Sequence, residues 1–203
     1  MAEEALLTMR GICKYFPGVR ALENVDFTLH SGEAVSYTHL TLPTVHQEVN
    51  LCPNLSVAEN IFIGREPKKA GGIDWKTINR RAAELLTTLN LNIDVTKTLG
   101  SYSVAVQQMI AIARAVDVDA KVLILDEPTS SLDEEETQRL FAVVRKLKAQ
   151  GLGVIFVSHF LDQIYELCDR ITVLRNGELV GAYAVAELPR VELISKMIGK
   201  ELG

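Results

Sequence analysis

At 203 residues, 48% hydrophobic and 23% charged, the chain has the length and composition of one well-buried folded domain. Its net charge of −5 excludes the general electrostatic footprint of a nucleic-acid binder, so no nucleic-acid partner is expected and a phosphate-bearing ligand would need a local site. No run approaches the ~20 apolar residues that cross a bilayer, the start Met1-Ala-Glu-Glu4 lacks the features of a secretory signal, and Cys13, Cys52 and Cys168 are odd in number and far apart, which points to reduced thiols and the cytoplasm.

In chain order, residues 6–15 and 25–29 read as strands separated by the Pro17-Gly18 turn. Ser56-Val-Ala-Glu59 is a capping box that opens a short helix through 63. Residues 68–72 read as a polar, glycine-containing loop. Asp74 then caps a helix with Ile78, Ala82, Leu85, Leu86 and Leu89 on one face and Arg80 and Arg81 outward. A further helix is expected over 103–116, and a strand over 121–126. Residues 133–136 put acids in the first turn of a helix that ends near Gln150-Gly151 behind Arg145, Lys146 and Lys148, an order that suits the macrodipole. A strand (154–157), a helix (160–168), a hairpin about Asn176-Gly177 and a final amphipathic helix (188–198) complete the chain. Strands alternating with helices predict an α/β fold with a parallel sheet.

The chemistry concentrates in Val122-Leu-Ile-Leu-Asp126-Glu127-Pro128-Thr129-Ser130-Ser131-Leu132-Asp133 and in Val157-Ser158-His159. Four aliphatic residues make a buried strand, and Pro128 stops it, so Asp126 and Glu127 fall at its carboxyl end, where open α/β sheets place ligands. Neighbours on a strand point to opposite sides, which gives the two acids different roles: one can hold a metal ion while the other polarises a water.

This string resembles the Walker B and D-loop segment of ABC-type ATPases, and Ser158-His159 resembles their switch histidine. Tyr102-Ser-Val-Ala-Val-Gln107-Gln108 is similar to their signature motif in the degenerate form of ribose, galactose and xylose importers, with Val104 and Ala105 where the usual motif has glycines. Gln47 matches the Q-loop, 53–67 is similar to the same sugar-importer group, and Phe16 matches the aromatic that stacks on adenine, with Tyr15 the lesser candidate. The resemblance covers 5–34 and 45–203 and is nearest to the galactofuranose type. It implies ATP and Mg²⁺ as cofactors. Asp126 and Gln47 would serve the metal, with Glu127, His159 and Gln47 catalytic; Phe16, Ser103, Val104, Ala105 and Asp133 would contact nucleotide or line the dimer seam. It also implies permease subunits as partners, a second ABC domain in cis or in trans, and a peripheral place on the cytoplasmic face of the membrane.

One family element is missing: no G-x-x-x-x-G-K-[ST] occurs in the sequence. That loop would supply the backbone cradle, the lysine and the metal-binding hydroxyl for the phosphates. Where it is expected, Val35-Ser-Tyr-Thr-His-Leu-Thr-Leu-Pro-Thr44 resembles instead the translation of a transposase adapter used in preparing sequencing libraries. The expectation is therefore one incomplete ABC nucleotide-binding domain, truncated, with the central Walker A strand and helix absent. Its parts are 5–34 (N-terminal strands), 35–44 (foreign-looking insert), 45–118 (Q-loop and signature region) and 119–203 (Walker B, D-loop, H-loop and C-terminal part). Each buried aliphatic lost with such a strand and helix forfeits ~1.5 to 3 kcal/mol, so stable folding is itself in question.

Three functions are compatible with this reading. The first is the ATP-hydrolysing subunit of a bacterial sugar importer, with this chain inactive for want of the loop. The second is a catalytically dead ABC-like module that docks on a permease. The third, an ABC ATPase of DNA repair or translation, is disfavoured by the sugar-type signature and by the lack of a coiled-coil insertion or basic arm.

Overall fold

A computed structural model describes residues 5–17, 19–38 and 51–199. These divide into two units, one from the described residues of 1–46, 121–128 and 144–203, the other from those of 47–120 and 129–143.

The first unit is built on a seven-stranded mixed sheet. β1 (Ala5–Phe16) and β2 (Val19–His30) form an antiparallel hairpin, and β3 (Ala34–Thr38) follows after a short turn. β6 (Val122–Asp126), β7 (Gly153–Val157), β8 (Arg170–Arg175) and β9 (Glu178–Ala184) complete it in the spatial order β1-β2-β9-β8-β3-β7-β6. β8, β3, β7 and β6 run parallel, while β9 returns antiparallel to β8. The parallel expectation therefore holds where apolar runs are continuous: all five residues of β7 are buried. Gly153 sits where two leucines converge, for an added Cβ would stand 2.9 Å from both Leu29 Cδ2 and Leu6 Cδ1. Phe27, Leu29, Val35, Ile155 and Val157 form one core cluster, with Leu7, Met9, Tyr37 and Val122 packed against it.

The expected absence of the central strand is corrected. Residues 34–38 supply β3, paired with β7 on one side and β8 on the other. Its Val, Tyr and Thr are strand formers, and the ladder asks only for backbone donors and acceptors. The unfamiliar sequence shows instead in the side chains: Ser36 is fully buried and its hydroxyl has no partner among the described residues. The expected loss of the helix falls on residues 39–50, outside the described residues.

The start of β3 is held by charge. Asp169 accepts the Ala34 N–H at 2.8 Å and receives Lys148 Nζ at 2.7 Å. Arg170 donates to Glu33 at 2.8 Å and to the Thr28 carbonyl. Burial pulls the Glu33 carboxyl upward, but Arg170 and the His30 backbone and ring outweigh it and hold the pKa below the ordinary glutamate value. α5 (Leu161–Leu167) and α6 (Arg190–Ile198) belong to this unit. Burial and the Asp169 charge push the Cys168 thiol up to about 12, against the pull of Lys148.

The second unit is helical. α1 (Val57–Phe62) opens on the expected capping box, both halves formed, with Ser56 Oγ receiving the Glu59 N–H and Glu59 receiving the Ser56 N–H. Asn60 is buried and saturated, accepting from Cys52 N and donating to the carbonyls of Cys52, Leu55 and Ser56. α2 (Trp75–Thr88) starts at its Asp74 cap and α3 (Val104–Asp117) at Ser103.

Two expectations change in this unit. Residues 68–73 are a hairpin rather than a loop, with β4 (Lys68–Lys69) and β5 (Gly72–Ile73) joined through Ala70 and Gly71, both at positive φ; two-residue strands are too short to show a period. Arg81 does not point free: it reaches Asp117, as Arg65 does, and both guanidinium groups lie against the buried Phe62 ring. α4 (Glu134–Ala149) is shared by the two units, with three glutamates in its first turn and Lys146 and Lys148 in its last.

Candidate functional site

The carboxyl ends of β6 and β7 carry the acids and the histidine. β6 ends at Asp126, and Glu127 leaves the strand. Its N–H still donates to the Val157 carbonyl at 2.8 Å, tying the two strand ends together, but its φ of 45° is left-handed. A non-glycine residue there costs of order 1 kcal/mol and persists where the surroundings enforce it, a pattern concentrated at functional sites. This corrects the expectation that two adjacent strand positions separate the acids: the backbone turn does so. It swings the Glu127 carboxylate to His159, with Nδ1 2.9 Å from Oε2. The two atoms stand at contact distance, yet the same oxygen lacks a hydrogen bond of good geometry, so the contact is a close approach rather than a well-aligned bond.

His159 follows β7 directly. The buried Ser158 Oγ accepts the Phe160 N–H at 3.0 Å and fixes the turn that presents the imidazole, whose side chain remains 66% exposed. The Phe160 ring lies 4.1 Å from it, centroid to centroid. On the other side of β7, Tyr37 of β3 has its pKa raised by burial and then by the Asp126 charge, so a residue of the adapter-like stretch lies within the field of the site.

The remaining candidates stand elsewhere. Phe16 ends β1, at the opposite edge of the sheet from β6; it is half exposed, with Lys14 Nζ 5.1 Å over its ring, and Tyr15 beside it is also exposed. In the second unit Ser103 caps α3, its Oγ 3.4 Å from Val106 N, and Val104 and Ala105 form the first turn. Asp133 caps α4 reciprocally with Glu136, a duty that its position before Glu134-Glu-Glu136 could have revealed. Gln47 lies outside the described residues.

Among the described residues no group of three or more His, Cys, Asp and Glu side chains is placed to hold a metal by itself. That fits Mg²⁺ only in its usual form, one or two carboxylates completed by substrate phosphates. Asp126 and Glu127 bring carboxylates to these strand ends, whereas the phosphate half does not fit, because the glycine-rich loop is not in the sequence. Two cavities among the described residues, about 410 Å³ beside the β8–β9 turn and about 590 Å³ beside α5 and the start of α6, do not include the acids.

The family model for ABC transporters matches residues 22–130. The chain belongs to the ABC transporter family. This ABC chain is 43% identical over 240 residues to the galactofuranose transporter ATP-binding protein of Escherichia coli (strain K12), covering 98% of itself and 48% of that protein. It is 42% identical over 237 residues to the fructose import ATP-binding protein of Bifidobacterium longum (strain NCC 2705), with 96% and 46% covered. It thus spans about half the length of these curated relatives. Among solved structures it resembles an ATP-binding cassette of an ABC transporter in its ADP conformation, with a TM-score of 0.76, 19% identity and 97% and 98% of the two chains covered. It also resembles the dimeric structure of a bacterial ABC transporter cassette, at 0.68 and 21%, with 88% and 98% covered. At those identities the likeness establishes the mixed α/β cassette fold.

Proposed function

We propose that this chain is the first of two nucleotide-binding domains of the ATP-hydrolysing subunit of a bacterial sugar importer, with residues 35–44 standing in place of the native phosphate loop and its helix. The observation that carries the functional reading is the Glu127–His159 approach at the carboxyl ends of β6 and β7, an acid and an imidazole where an attacking water and a terminal phosphate would meet. With the phosphate loop in place, Asp126 and Gln47 would serve magnesium, Glu127 would polarise the water, and His159 and Gln47 would attend the terminal phosphate. Phe16 stacks on the base. Ser103, Val104, Ala105 and Asp133 serve the site of a second ABC domain, and the assembly sits against permease subunits on the cytoplasmic face of the membrane.

Two observations support the replacement. The alignment to the Escherichia coli relative runs over 240 positions although this chain has 203 residues in all, so several dozen residues of the relative lack a counterpart. Residues 35–44 resemble a sequencing-adapter translation rather than any part of the family pattern. Without a cradle opposite Asp126 and Glu127, the chain as it stands neither binds ATP tightly nor hydrolyses it. The dead-module reading draws on the same missing loop; loss of the loop in the genome itself favours it.

The test is magnesium-dependent ATP binding and single-turnover hydrolysis, on this chain and on one with a sugar-importer phosphate loop, strand and helix restored between Glu33 and Val45. The restored chain binds and hydrolyses; in it Glu127→Gln keeps binding and slows hydrolysis roughly 10²- to 10⁴-fold, while Asp126→Asn weakens magnesium-dependent affinity. Micromolar affinity in the unrestored chain, about −8 kcal/mol, overturns the proposal. Long, amplification-free reads across codons 30–50 separate replacement from natural loss.

A further inference from the structure

The hairpin β4–β5 and the start of α2 have no part in the site described above. Every residue from Lys68 to Ile73 is exposed, and Ile73 (42%) and Trp75 (47%) are among the large apolar side chains left in solvent. Lys68 and Ile73 are direct partners in the antiparallel register, so an ammonium and a branched aliphatic chain stand on the same side of the ribbon. Ala70 and Gly71, at φ 50° and 83°, make a tight turn, and an added Cβ at Gly71 would meet nothing within 4 Å: the tip projects.

The local charge opposes that of the molecule. Residues 65–81 carry six Arg and Lys against two acids, in a chain of net charge −5. Both acids already serve the backbone, Glu66 by accepting Gly64 N–H and Asp74 by capping α2, and Arg65 and Arg81 turn back to Asp117. Lys68, Lys69 and Lys76 stay exposed beside Ile73 and Trp75. Exposed lysines around a projecting Trp and Ile are the composition of a contact that lays apolar groups among lipid headgroups while cations meet their phosphates.

We propose that the 68–76 finger binds the surface of an anionic lipid bilayer. This goes beyond the importer reading and needs neither nucleotide nor the phosphate loop. The chain's single tryptophan is Trp75, so its fluorescence reports on the finger alone. The purified 203-residue chain is titrated with phosphatidylserine-containing and with pure phosphatidylcholine vesicles, following Trp75 emission and co-sedimentation. A blue shift with the anionic vesicles only, reversed by raising salt, is expected, and Lys68→Glu/Lys69→Glu should lower the partition coefficient at least tenfold. The equal charge change Lys97→Glu/Arg139→Glu, away from the finger, should lower it far less. No shift with anionic vesicles overturns the proposal and leaves an acidic protein loop as the finger's partner. A shift indifferent to salt, or lost equally in both double variants, overturns it too, marking general hydrophobic or net-charge adsorption.

Discussion

β3 and β7 lie side by side in one sheet, of equal length and parallel direction, and differ in what their sequences contribute. β7, Gly-Val-Ile-Phe-Val, buries every residue and no side-chain polar atom. β3, Ala-Val-Ser-Tyr-Thr, makes the same backbone ladder yet buries the Ser36 hydroxyl without a partner among the described residues. Backbone pairing accepts almost any β-prone segment, and the side chains decide what the acceptance costs.

The largest effect that sharpens this contrast is loss of the β7 aromatic. Phe156→Ala should cost about 3–5 kcal/mol, and Tyr37→Ala, at a partly buried position of β3, clearly less, both read from urea midpoints; equal losses would mean that the two positions share one packing quality. Ser36→Ala should instead stabilise the chain by roughly 1–3 kcal/mol, the penalty of an unsatisfied buried polar group. A lower midpoint would show that the hydroxyl has a partner in solution.

The third prediction concerns the junction where β3 begins. The Glu33 pKa is depressed in the folded state, so its contribution is present at neutral pH and is lost as pH falls through the ordinary glutamate range and below it. Glu33→Gln should lower the urea midpoint at pH 7 and flatten its fall between pH 5 and 3, because Arg170 then has no titrating partner. A parallel fall in both proteins would remove Glu33 from the acid response.

The smallest effect is at the site. Glu127→Gly relieves a left-handed backbone at a non-glycine position and should raise stability by up to about 1 kcal/mol, even as it removes the carboxylate beside His159. A lower midpoint would mean that the His159 contact outweighs the strain.

What the sequence made legible follows from the range of the forces involved. The aliphatic runs ending at Asp126 and Val157, the capping box at Ser56 and the Asn176-Gly177 turn are local signals, and each appears where it was read. The Glu127–His159 approach was not legible, because it depends on a positive φ at a glutamate, which no periodicity announces. β3 was misjudged for the opposite reason: unfamiliar sequence was equated with missing structure, whereas a place between two parallel strands asks only for extended backbone. The cap at Asp133 and the Arg65–Phe62–Arg81 arrangement were hidden in charges that also read as solvated surface.

The Glu33–Arg170 and Ala34–Asp169 bonds span 137 and 135 residues of chain. A ribosome adding ~5–20 residues per second reaches Arg170 roughly 7 to 27 seconds after Glu33. β3 can take neither neighbour until β7, residues 153–157, has been made, and it lacks the second until β8, from Arg170 onward, follows. Most of the helical unit, 47–120, is complete well before that moment. During synthesis the sheet therefore waits half-built, with a β-prone segment whose edges are open to any other extended chain, and the hazard of misassembly falls on a stretch that ends enclosed between two parallel strands.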